Sequence, residues 1–302
     1  MYLPCSGKIV LMVSPFLFAS AIVVAKIALN DGVEVHTFNA LRNTLAFLLT
    51  YAFRYAMRKS DRMLSLAKCD RNFLFWCVMC GVSNALGMTT SAMALANLNT
   101  AMFSFMLGLT VVMTPLLGHF LPFKSLRLSR IGWVAVCLSV VGTVLLEGCV
   151  EDMTSCFLNG NWYSIVALGA ALFYSLYSYL IGLGSETVEA SLLTQGSLGV
   201  SCLILTLIML LSVALSLYGN DGNSSELNHF HISSRQLLYT IAVATLEAVA
   251  WQYETYAVVA VGASRAAMAI ATEAPITTLL AYVTLKESLS LSEYMGCGLV
   301  FF

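Results

Sequence analysis

The chain has 302 residues, 59% of them hydrophobic and only 10% charged, with a formal net charge of −1. A water-soluble protein carries roughly 25% charged residues, and at a mean hydropathy of +0.83 this chain has too little polar surface to face water as a globule, so its solvent is lipid. A soluble enzyme, a secreted disulfide scaffold and a nucleic-acid binder are excluded, and the placement of charge says more than its sum.

Apolar stretches of about 20 residues, the length a helix needs to cross a bilayer, fall near residues 8–30, 35–57, 72–95, 99–122 and 129–148. After a polar stretch from Glu151 to Asn161 they resume near 161–182, 190–218, 236–258 and 262–285. The run from Leu291 to Phe302 is too short to span, so a tenth helix is expected that this sequence cuts short. Lipid offers no partner to open backbone N–H and C=O groups, and the runs lack the alternation of a membrane barrel; each span is predicted to be helical. The first run is long and has no convincing small-residue cleavage site, which marks it as a membrane helix rather than a signal peptide.

Nine of the 15 Lys and Arg sit in two connections: Arg54, Arg58, Lys59, Arg62, Lys68 and Arg71 after the second span, and Lys124, Arg127 and Arg130 after the fourth. By the positive-inside rule both are cytoplasmic. The N-terminus is then predicted cytoplasmic too, while Asp31, Glu34, Glu151 and Asp152 face out. The loop Asp221–Ser233 also falls outside, where Asn223 heads a glycosylation sequon, Asn223-Ser224-Ser225. The loop with Glu186 and Glu189 lands inside without basic residues, a mild misfit.

Lys124-Ser125-Leu126-Arg127-Leu128-Ser129-Arg130 recurs as Glu287-Ser288-Leu289-Ser290-Leu291-Ser292-Glu293. Each copy follows the fourth helix of its group and precedes an apolar run with Gly132 or Gly296 near its start. An odd number of helices separates them, which puts them on opposite sides of the membrane, and their opposite charges agree. The expected fold is therefore an all-α polytopic membrane protein of two inverted five-helix repeats, residues 1–150 and 151–302, an architecture typical of secondary transporters.

The stretch Thr272-Glu273-Ala274-Pro275-Ile276-Thr277-Thr278-Leu279-Leu280, followed by Lys286-Glu287-Ser288-Leu289 and Gly296, resembles the drug/metabolite transporter superfamily, specifically proteins with two EamA-type repeats. The first half is similar from Ala92 to Leu146, but its Pro115 lies about one turn from the position matching Pro275, and Lys124 stands where that family often has Glu. The resemblance implies a transporter of metabolites or drug-like solutes.

Six ionisable residues lie well inside the spans: Lys26, Arg42, Glu247, Glu254, Arg265 and Glu273. An unpaired charge at the bilayer centre costs roughly 3 kcal/mol or more, so such groups face the bundle interior or water. Glu247, Trp251 and Glu254 share one helix face, as do Arg265 and Glu273. One reading places Arg42, Glu247 and Glu273 around a solvated cavity, the carboxylates binding a proton or cation and the bases an anionic part of a solute. The plainer reading, favoured for Lys26, Glu254 and Arg265, is structural pairing between helices. Trp251, Tyr253, Tyr256, Tyr174, Tyr177 and Tyr179 offer stacking or packing, and Asn84, Thr89, Thr90 and Ser91 offer polar lining or helix–helix hydrogen bonds. Pro115 and Pro275 each remove a helix hydrogen bond and free a carbonyl, lining a site or acting as hinges.

Cys77 and Cys80 lie in an apolar helix with no His or acidic neighbour, and packing is expected of them rather than metal or redox chemistry. Cys149 and Cys156 flank an outward loop and could pair there; His229 and His231 lie in the sequon loop. No phosphate loop, nucleophile elbow or zinc motif is present. The expected function is a non-enzymatic secondary transporter of a small organic metabolite or drug-like solute, working by alternating access, with substrate and coupling-ion candidates Arg42, Asn84, Glu247, Trp251, Glu273 and Pro275. No cofactor is expected beyond proton or cation coupling. Its partners are membrane lipids and the solute, with no nucleic acid, and homodimerisation stays open. The plasma membrane or an endomembrane is the expected location. A nucleotide-sugar or phosphorylated-metabolite exchanger and a non-transporting scaffold are the alternatives.

Overall fold

A computed structural model of the chain describes residues 7–57, 71–120, 162–219, 232–261 and 263–287, with five positions between 133 and 141. The described residues form helices and short turns, with no strand. In chain order they are α1 (Gly7–Asn30), α2 (Val35–Met57), α3 (Arg71–Asn97), α4 (Thr100–Gly108), α5 (Thr110–Phe120), α6 (Trp162–Gly184), α7 (Ala190–Gly219), α8 (Ser234–Val261), α9 (Ala263–Ile270) and α10 (Glu273–Leu285). The expected spans near 35–57, 72–95, 161–182, 190–218 and 236–258 match single helices to within a few residues. Those near 99–122 and 262–285 are each built from two shorter helices. Most of the expected span 129–148, the terminal run 291–302, most of both Ser-Leu turns, Cys149, Cys156, the sequon Asn223, His229 and His231 lie outside the described residues.

Six helical stretches among the described residues are long and apolar enough to cross a membrane. The stretch in α7 is only 17% buried, and Leu203, Leu207, Leu210, Leu211 and Leu215 stand exposed along it, so α7 presents a leucine face to lipid. Neither α2 nor α8 is among the six. These are the helices that bring Arg42, Glu247 and Glu254 inside, and their lower apolarity is the cost of an inward polar stripe.

Around that stripe, α1 packs along α8 and α3 along α6, while α2 bridges α7 and α8. The pair α4 and α5 covers α6, and the pair α9 and α10 covers α1. Close approach depends on small residues, as in membrane helix pairs generally. A Cβ at Gly81 would lie 2.9 Å from the Ser197 carbonyl oxygen, and one at Gly196 would collide with Cys77 Sγ, so α3 and α7 touch backbone to side chain. Cys77 and Cys80 are buried in this packing, in keeping with their expected role.

One end of the bundle is tied by polar contacts. Lys26 Nζ donates to Leu95 O and Leu98 O, both at 2.8 Å, and satisfies carbonyls left open where α3 ends. Glu287 accepts from the N–H and hydroxyl of Thr100, where α4 begins. At the same end Gln236 Nε2 donates to Asp31 O, and Arg235 meets Asp31 at 3.5 Å across an exposed contact. Glu34 accepts from His36 N and Thr37 N, closing the start of α2. Lys26 thus has the structural role expected of it.

Candidate solute cavity

Both two-part helices break beside the same space. Pro275 has no N–H to give to Ala271 O, and the backbone turns over Ala271 and Thr272 before α10 starts at Glu273. In the other pair the break falls at Leu109, whose N–H reaches back only three residues to Met106 O. Pro115 lies inside α5, past that break. The expectation that Pro115 interrupts its helix is therefore corrected: a tight turn after Gly108 makes the break, and the proline sits in the following segment. The two breaks meet, since a Cβ on Gly108 would lie 3.6 Å from Ala274 Cβ.

Here a cavity of about 90 Å³ opens. One water needs roughly 10–15 Å³ on this measure, so several fit. From the first half of the chain its wall takes Phe18 and Ile22 of α1, Arg42 of α2, Ser91 and Leu95 of α3, Phe103, Ser104 and Gly108 of α4, and Thr110 and Thr114 of α5. The second half adds Tyr174 and Ser178 of α6, Glu247, Trp251 and Glu254 of α8, Ile270 of α9 and Glu273 of α10.

Arg42 and Glu247 form the central ion pair, Nη1 to Oε1 at 3.0 Å, with both residues buried. The pair uses one contact where a guanidinium and a carboxylate can make two. Arg42 Nε and Nη2 and Glu247 Oε2 have no hydrogen-bond partner although all three atoms are buried. Trp251 Nε1 is in the same condition. Buried polar atoms left open are costly, so the residues beside the cavity hold donors and an acceptor that the packing covers but does not satisfy. Arg42 also sits over the Phe38 ring, 5.2 Å from its centroid. Glu254 accepts from Ser178 Oγ at 2.9 Å. Glu273, 7% exposed, makes no hydrogen bond or ion pair through its carboxyl group among the described residues, and occupies the first turn of α10, where the helix dipole favours an acid. Trp251 stacks edge-on with Phe18 and Tyr177, at 5.2 and 5.1 Å between centroids.

The chain matches the EamA-like transporter family twice, over residues 6–147 and 161–302. The chain belongs to the EamA-like transporter family. With six apolar membrane-length helices it is a multi-pass integral membrane protein. A solved crystal structure aligns over 98% of this chain and 94% of its own, with a TM-score of 0.66 and 16% identity, a likeness that speaks for the fold alone. No curated protein matches.

In this EamA-like chain, four sequence-expected candidates line the cavity: Arg42, Glu247, Trp251 and Glu273. Two do not. Asn84 is fully buried between α3 and α7, donating to Ser201 Oγ at 3.1 Å; the cavity begins about two turns further along α3, at Ser91. Pro275 is buried behind the wall and acts by shaping the turn that presents Glu273. Glu254, expected to be structural, lines the cavity instead. The side chain of Arg265 lies outside the described set. Thr89 and Thr90 donate to carbonyls of their own helix, whereas Ser91 faces the cavity 3.4 Å from the Tyr174 hydroxyl. Phe18, Phe103, Ser104, Thr114 and Ser178 went unrecognised in the sequence; of these only Ser178 carried a signal, one turn beyond Tyr174 on the same helix face.

Proposed function

We propose that this protein is a secondary transporter of a small organic solute, working by alternating access around the cavity between its two repeats. The observation that carries the reading is that side chains from both halves, including the Arg42–Glu247 pair and Glu273, converge where two broken helices meet. Broken helices at a midplane cavity are how transporters expose backbone and charge to a solute without exposing them to lipid.

The repeats are inverted, with residues 1–150 forming one and 151–302 the other, ten spans in all. Glu287, which follows α10, bonds the first residue of α4, so the two broken pairs run antiparallel, as inversion requires. Helix packing supports the same two-fold relation: α1 on α8 mirrors α6 on α3, and the α9–α10 pair against α1 mirrors the α4–α5 pair against α6. The N-terminus is cytoplasmic, and the end tied by Lys26 and Glu287 faces out, in the plasma membrane or an endomembrane. Arg42, Glu247 and Glu273, joined by Glu254, handle the solute and the coupling proton or cation.

Uptake by the purified protein in proteoliposomes, across a panel of small metabolites with and without a proton gradient, tests the reading. Saturable flux for one solute class that responds to the gradient is expected. Absence of specific flux for every solute, in protein verified as folded, would refute it.

A further inference from the structure

We propose that the cavity takes a small organic cation, an amine or quaternary ammonium on an apolar single-ring frame. The proposal rests on the transporter reading and names the solute class for the same site. Among the described side chains lining the cavity are three carboxyl groups, Glu247, Glu254 and Glu273, and one guanidinium, Arg42. That guanidinium is already engaged, by Glu247 at 3.0 Å and by the Phe38 ring. Lys26, the other buried base described, spends its ammonium on the carbonyls at the end of α3.

Two carboxyl groups therefore lack a counter-charge among the described residues. Glu254 has only the neutral Ser178 hydroxyl, and Glu273, 93% buried by its 7% exposure, has only the N-terminus of α10. A carboxyl group in such a place either holds a proton or, when ionised, needs a positive charge beside it, so an arriving cation can take the place of the proton. A metal ion does not suit the arrangement, because no three acidic, His or Cys groups among the described residues gather closely enough to hold one. An organic cation does. Phe18, Trp251 and Tyr174 form a connected aromatic wall, with Tyr174 and Trp251 5.9 Å apart, and such rings attract ammonium groups and stack on an apolar frame. The room available, several waters' worth, suits a single ring.

Arg42 Nε and Nη2, buried without a hydrogen-bond partner, are what an anion would seek, so the test compares charges on one frame. Equilibrium binding to the purified protein in nanodiscs is measured by calorimetry for benzylamine, benzyltrimethylammonium, benzyl alcohol and benzoate. The two cations are expected to bind at least about tenfold more tightly than the alcohol and benzoate. Glu254→Gln and Glu273→Gln are each expected to weaken the cations about tenfold, with Glu273→Asp restoring part of the loss. Benzoate or benzyl alcohol binding as tightly as benzylamine, or neither cation binding at millimolar concentration, overturns the proposal. So does cation binding unchanged in a folded Glu254→Gln/Glu273→Gln double variant. The four-probe comparison on the parent protein decides the matter even if a variant does not fold. Cation binding without flux in proteoliposomes would sink the transporter reading and spare the ligand class; flux of neutral or anionic solutes without cation binding would do the reverse.

Discussion

Glu287 holds Thr100 across 187 residues of sequence: its carboxylate accepts the Thr100 N–H at 3.1 and 3.2 Å and the hydroxyl at 2.8 Å. Lys26 fastens the other side of the same turn, and the two opposite charges attract. Lys286, just before Glu287, adopts a left-handed backbone at φ 56°, an unfavourable conformation for a residue with a side chain, which turns the chain so that Glu287 reaches Thr100. In the proposed transport cycle this contact keeps the outer end shut.

Glu287→Ala is accordingly expected to open that end. A cysteine placed at Ser104, buried in the cavity wall, should react severalfold faster with a membrane-impermeant maleimide added from the side where α4 starts. An unchanged rate would mean that the contact does not gate access.

Removing one partner of a buried ion pair costs about 3–5 kcal/mol because the other charge is left alone. Arg42→Gln and Glu247→Gln should each lower thermal stability markedly, and the double variant should lie closer to the parent than their sum predicts. Additive losses in unfolding scans would show that the two do not act as a pair.

The two prolines are expected to behave differently. Pro275→Ala supplies an N–H that can reach Ala271 O and heal the break, so solute flux should fall while thermal stability holds or rises. Pro115 lies past its break, and Pro115→Ala should change flux much less. Equal losses of flux in both variants would contradict the placement of the hinge.

Two glycines predict opposite signs. Alanine normally gains up to about 1 kcal/mol over glycine in a helix. At Gly169 nothing lies within 4 Å of the added Cβ, so Gly169→Ala should be neutral or stabilising. At Gly81 the Cβ would press on Val200 and the Ser197 carbonyl, and Gly81→Ala should cost about 1–3 kcal/mol through overpacking. Melting temperatures that rank the pair the other way would count against the α3–α7 contact.

The inverted arrangement has its own test: single cysteines at Ser129 and Ser292 should label from opposite faces of the membrane. Labelling from the same face would remove the two-fold relation.

Span positions were legible because lipid forces about 20 apolar residues onto every crossing helix, and Arg42, Glu247 and Glu273 stood out because charge inside such a run is costly. What stayed hidden depends on contacts that no local pattern encodes. Asn84 and Ser91 share a helix, yet only their neighbours, Ser201 and Tyr174, decide which one meets the cavity. Glu254 reads in the sequence as a structural pairing group, and only Ser178 and the cavity beside it say otherwise. The break at Leu109 was missed because a three-residue backbone turn makes it, with no proline to announce it.

The Arg42–Glu247 pair joins residues 205 positions apart, which bears on how the chain is made. When α2 leaves the ribosome it carries an arginine whose partner has not yet been translated, and a lone arginine at the helix centre costs about 2.5–3.5 kcal/mol to insert. Biogenesis must therefore shelter α2, within the insertion machinery or against the helices that follow it, until α8 arrives.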